Sequence, residues 1–117
     1  MKPKDPRSFL PLSPLAFQVL LSLSDESRHG YAIIQEIAGR TDGLVSMRTG
    51  TMYLLLQRMV ADGLIEETET RPKAGEDDER RRYYVPTALG RAVATAEAKR
   101  LESIVTQARR KQVLGRR

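Results

Sequence analysis

Residues 47–65, MRTGTMYLLLQRMVADGLI, constrain the fold more than any other stretch of the chain. Met52, Leu55, Leu56 and Met59 recur at spacings of three and four, which gathers them on one face of a helix. Arg48, Thr51, Gln57, Arg58 and Asp62 fall largely off that face. Asp62-Gly63 supplies the stop, because glycine at C′ adopts positive φ easily and Leu64 at C″ folds back toward Met59. A strand begins at once. Such a helix is anchored along one side and offers a short, polar, partly cationic side to something else.

The remaining elements frame that helix. Ser13-Pro14 is a helix start, with Ser at the N-cap and Pro at N1, where its missing N–H costs nothing. The helix runs to about Leu23 and is apolar around most of its circumference, which predicts a second chain packed on one side. Asp25 to Arg28 reads as a turn. A second helix, HGYAIIQEIAGR, sets Tyr31, Ile34 and Ile37 on one face; His29 caps or packs its start and Gly30 marks a close crossing. Ser46 is the expected N-cap of the third helix, with Thr49 as the alternative.

After Gly63 the period falls to two. Residues 64–71 and 80–85 read as a ribbon joined by the turn-rich PKAGEDDE. Thr87 caps a last helix over residues 88–110. Its Ala94, Ala98, Leu101, Val105 and Ala108, spaced 4-3-4-3, form a seam for a partner helix, with Leu89, Val93 and Ile104 alongside. Three helices and a two-stranded ribbon give the order of a winged helix-turn-helix. The fold class is mainly α within α+β, with an added C-terminal dimerisation helix. The expected divisions are an arm (1–12), a winged-helix DNA-binding domain (13–86, wing about 65–85), the dimerisation helix (87–110) and a basic tail (111–117). The arm is Pro-broken and basic; residues 1–7 are expected to fray, and the rest to order only against a neighbour or DNA.

Composition narrows the function. A chain of 117 residues with few aromatics and no Trp has a thin core, so burial between chains is the expected supplement. The absence of Cys excludes disulfides, thiol chemistry and thiolate metal sites. His29, the single His, has no second ligand at metal spacing, so neither a metal nor a cofactor is expected. No catalytic group can be assembled around it, and Glu76 to Glu79 lie on a turn rather than at two fixed positions, so no enzyme is expected. No apolar run reaches membrane-spanning length and no signal segment opens the chain, which makes the cytoplasm the expected location. The formal charge of +5 sits entirely in residues 97–117; residues 1–96 carry thirteen basic and thirteen acidic side chains. A nucleic-acid reading therefore rests on local placement of cations, not on overall pI.

That placement is favourable at the third helix. Ser46, Arg48, Thr49 and Thr51 stand at its start, where a helix in the major groove reads bases. Arg48 suits bidentate contact with guanine, and Thr49 or Thr51 a thymine methyl or a phosphate. Tyr53 and Arg58 suit phosphate contact or packing. Arg80, Arg81 and Arg82 can run beside the DNA backbone along the wing stem. The four acids at the tip would repel phosphates, so the tip is expected to bend away; alternatively they pair with the three Arg.

Several blocks together resemble the PadR family of bacterial winged-helix transcriptional regulators, in its short form with one C-terminal helix. They are His29-Gly30-Tyr31, Gly50-Thr51-Met52-Tyr53 with Leu56, Arg58-Met59, Asp62-Gly63-Leu64-Ile65, and Arg82-Tyr83-Tyr84 with Thr87 and Gly90-Arg91. The resemblance spans residues 13 to about 100. It implies a homodimer held by the C-terminal and N-terminal helices, operator binding, usually repression, and often relief by a small aromatic or drug-like ligand. The expected interface residues are Phe9, Leu12, Phe17, Leu20, Val93, Leu101, Ile104, Val105 and Ala108. The chain departs from the pattern at Pro86, where the family usually has Leu and where the strand must end, and at Leu54, where Pro often follows the Tyr. Without Trp, a small-molecule effector site would have to use Phe9, Phe17, Tyr31 or interface aliphatics.

Two readings stand. The first is a sequence-specific DNA-binding transcriptional regulator, a repressor acting as a homodimer on an inverted-repeat operator. Its expected partners are double-stranded DNA, a second copy and an unidentified effector, with no membrane. The second is a winged-helix protein-interaction or architectural module without specific readout, favoured by the acidic wing tip and the neutral first 96 residues.

Overall fold

The computed structural model describes residues 4–69 and 81–115. A 3-10 turn, Pro6–Phe9, precedes α1 (Pro14–Ser22), β1 (Arg28–His29), α2 (Gly30–Arg40), α3 (Thr49–Ala61), β2 (Ile65–Thr68), β3 (Tyr83–Pro86) and α4 (Ala88–Arg110). Local chemistry sets most of these limits. Ser13 Oγ accepts the Ala16 N–H at 3.1 Å, His29 Nδ1 that of Ala32 at 3.2 Å, and Thr87 Oγ1 that of Gly90 at 3.0 Å, so three helices begin on a side-chain cap. α3 stops as its sequence demands: Gly63 has φ +81°, its N–H donates to Val60 O at 3.0 Å, and Leu64 N–H donates to Met59 O at 2.9 Å.

The end of α3 is fastened to the start of α4. Thr87 N–H donates to Leu64 O at 3.0 Å, and the Thr87 hydroxyl donates to Gly63 O. A Cβ on Gly90 would collide with the Leu64 carbonyl, so the crossing requires glycine there. The strand order is β1-β3-β2, all antiparallel, with Tyr84 opposite Arg28 on one side and Glu67 on the other. The sheet has three strands, not the two of the expected ribbon. Arg28 leaves the turn that was expected to hold it, because β3 pairs with the segment entering α2.

Val19 and Leu20 of α1, Ile33 and Ile37 of α2, Met52, Leu56 and Met59 of α3, Leu64, Ile65 and Val93 close the core. This corrects three expected interface positions. Leu20 and Val93 are fully buried inside the single chain and Leu12 nearly so, so their apolar surface stabilises the monomer instead of a dimer contact. The arm also departs from expectation. From Asp5 onward it is ordered within its own chain: Asp5 Oδ1 accepts the Arg7 N–H at 2.9 Å, the turn packs on α4, and Lys4 Nζ donates to Asp62 O at 3.3 Å. A polar staple joins α1 to α2, where Ser22 donates to Glu36 Oε1 at 2.6 Å and Arg40 reaches both Glu36 and Gln18.

Candidate nucleic-acid interface

α3 is positioned by the connector before it. Thr41 Oγ1 donates to Ile37 O at 2.8 Å and accepts the Val45 N–H at 3.1 Å, which holds the chain against the end of α2. Val45 and Met47 are half-buried while Ser46 and Arg48 are exposed, the alternation of an extended segment. Ser46 is therefore outside the helix, and neither it nor Thr49 is the N-cap. Arg48 holds that position, its carbonyl accepting the Met52 N–H at 3.0 Å, with no side-chain cap bond.

Along α3, Met52, Leu56 and Met59 point into the core, and Thr49, Gly50, Thr51, Leu54, Gln57 and Arg58 are exposed. Ser46, Arg48, Thr49 and Thr51 thus form one uncovered polar cluster at the helix start. Tyr53 is half exposed and lies over α2: a Cβ on Gly30 would stand 3.2 Å from its ring. The close crossing marked by Gly30 is the contact of α2 with α3.

The wing root adds cations. Arg81 Nη1 lies 2.9 Å from His29 Nε2, and the His29 ring meets Tyr83 edge-on at 5.2 Å. Arg82 Nε stands 3.8 Å from Glu67 Oε1, both largely exposed, a separation at which salt screens the pair and leaves the guanidinium available. Arg80 and the acids Glu76, Asp77, Asp78 and Glu79 lie outside the described residues, as does any bend at the wing tip.

At the other expected interface, Leu101 and Ala108 are half-buried, and Ile104 and Val105 are 45% and 41% exposed. Phe9 and Phe17 pack partly against the core, and Tyr31 is half exposed. One buried acid escaped sequence reading. Glu97 of α4 is 2% exposed, takes two bonds of 2.7 Å from Arg100 and accepts the Leu12 N–H at 3.4 Å. The Arg100 guanidinium, and less strongly the Leu12 N–H, hold its carboxyl below the ordinary glutamate range against the opposing effect of burial. The available signal was Arg100 at i+3. Among the described residues no group of three or more His, Cys, Asp or Glu could hold a metal ion, and no helix is long and apolar enough to cross a membrane.

The sequence profile of the PadR-like transcriptional regulator family matches residues 19–96. An uncharacterised protein of Lysinibacillus sphaericus is 32% identical over 74 residues, covering 63% of this chain and 65% of its own length, just under two thirds. A PadR family transcription regulator from Clostridium difficile superposes with a TM-score of 0.69 over 88% of this chain and 100% of its own, at 24% identity. Bacillus subtilis PadR, solved in complex with operator DNA, superposes at 0.58 over 72% of this chain and 47% of its own, at 18% identity. Both likenesses establish the architecture.

Proposed function

The chain belongs to the PadR-like family of transcriptional regulators, and from that premise we propose that it binds duplex DNA sequence-specifically and represses transcription as a homodimer on an inverted-repeat operator. The observation that carries this is the outward side of α3. Ser46, Arg48, Thr49 and Thr51 stand uncovered at the start of a helix whose other side is sealed into the core. That is the posture of a helix that reads base edges from its N-terminal half. Arg48 addresses guanine, the threonines a thymine methyl or phosphate, and Arg58, Arg81 and Arg82 the backbone. The operator complex solved for Bacillus subtilis PadR supports the same use of the fold here.

Dimerisation rests on the second half of α4. Leu101, Ile104, Val105 and Ala108 give that half an apolar side which its own domain leaves partly open. Two-fold symmetry would set the reading helices about 34 Å apart, one turn of DNA. The setting is the cytoplasm, where the operator is, and the role is regulatory rather than enzymatic. For a small-molecule effector, Tyr31 and the aliphatics of the dimer seam are the available contacts. Selection of bound genomic fragments, followed by footprinting, tests the reading. A protected inverted repeat, bound with an affinity that falls steeply with salt, is expected. No enriched fragment, or salt-insensitive binding, would overturn it.

A further inference from the structure

Gly50, Leu54, Gln57 and Ala61 are spaced 4-3-4 along α3, so they form one line opposite Met52, Leu56 and Met59. All four are exposed. An exposed leucine by itself needs no explanation. Leu54, however, is 70% exposed at the middle of the helix, one turn beyond a glycine that nothing in the chain requires. Gly50 lies in the first turn, where glycine is a poor helix former. Its φ is not positive, and a Cβ built on it meets nothing within 4 Å. Neither backbone conformation nor internal packing accounts for the missing side chain. Close approach of a body outside the protein does account for it.

The polar cluster and the cations around this line commit that body to DNA. Arg48 stands at the start of the line and Arg58 beside its second half, both exposed. In the major groove the apolar feature a leucine can meet is the C5-methyl of thymine. Gln57, next along the line, carries the side chain that pairs with adenine N6 and N7. We propose that Leu54 reads a thymine methyl in each half-site, with Gly50 admitting the base edge and Gln57 bonding the adenine of a neighbouring pair. This rests on the DNA-binding reading above and adds to it the base content of the operator: a T·A-containing core in each half, opposite the middle of α3.

The test uses the full chain and the fragments it selects. Each thymine of a half-site is replaced singly by deoxyuridine, which removes only the methyl. One replacement per half-site is expected to weaken the wild-type protein about four-fold, the effect of one buried methyl. Leu54→Ala, which removes the contact from both half-sites of the homodimer, should bind the parent site about fifteen-fold more weakly, twice the free energy of one buried methyl, and be indifferent to that replacement. Gly50→Ala should raise the melting temperature by a few degrees while weakening the selected site at least ten-fold, so that stability and binding move in opposite directions. The inference is overturned if no deoxyuridine matters to the wild type. It is equally overturned if Leu54→Ala responds as the wild type does, or if Gly50→Ala binds undiminished. In each of these cases a specific site is still bound and the DNA reading survives. If no fragment is selected at all, both fall.

Discussion

α3 and α4 both seal one side into the same core, but the seal runs the length of α3 and only part of α4. In α3, Met52, Leu56 and Met59 are buried from the first turn to the last, so the opposite side is held at a fixed angle throughout. In α4, Gly90, Val93 and Glu97 are buried; beyond Glu97 no residue of the helix is fully so. Glu97 marks the division, tying α4 to Leu12 through one bond, while Arg100 in the same helix holds its carboxylate through two. The difference matches the two tasks proposed for them. A helix sealed end to end presents a rigid edge, while one released halfway leaves apolar side chains open for the proposed second chain.

The contrast can be broken most forcefully on α3 itself. Leu56→Ala should cost roughly 2–5 kcal/mol in urea denaturation, the range for a buried leucine cavity. Thr51→Ala, on the other side of the same helix, should stay within about 0.5 kcal/mol. Equal costs would mean that the two sides are not distinct.

On α4 the corresponding pair is Val93 and Ile104. Ile104→Glu should weaken self-association by roughly ten-fold or more in sedimentation equilibrium, since it puts a charge where an apolar side chain is to be covered. It should leave the monomer's circular dichroism unchanged. Val93→Glu should instead unfold the chain. At the junction between the two helices, Gly90→Ala should destabilise by about 1–3 kcal/mol, the usual range for overpacking, because the new methyl meets the Leu64 carbonyl.

Acidification should give the smallest effect. Arg40 chiefly, with Ser22, holds the Glu36 carboxyl below its ordinary range, and Arg100 does the same for Glu97. As pH falls, the unfolded chain takes up these protons first. The stability the two groups contribute is therefore complete above about pH 4.3, the ordinary glutamate value, and is lost as pH falls through their lower folded values. Thermal melts from pH 6 downward should show that decline, and Glu97→Gln should flatten part of it.

Features decided within a few residues were legible in the sequence. Ser13 and Thr87 cap their helices, His29 caps α2, Gly63 ends α3, and the apolar row of α3 is where its spacing puts it. Features decided by distant partners were not. β1 is two residues long, too short to show any period, and exists because β3 lies beside it. Leu20 and Val93 read as interface residues because apolar spacing cannot say which chain covers them. Glu97 went unread, since burial of a carboxylate is visible only once Leu12 and Arg100 are beside it. At the candidate interface the residue types were readable, but their aim was not. Ser46 and Arg48 share a direction because Val45 and Met47 anchor an extended segment, and that segment moves the cap from Ser46 to Arg48.

The most direct test is the ratio of the dissociation constant for a scrambled duplex to that for a selected site, measured at one salt concentration for the wild-type protein and for Arg48→Ala. Loss of the bidentate guanine contact from both half-sites, at about 1–3 kcal/mol each, should lower that ratio roughly 30-fold or more, while affinity for the scrambled duplex changes little. An unchanged ratio, with both affinities falling together, would contradict the account: Arg48 would then be a sequence-blind cation and the outward side of α3 would not be the reading surface.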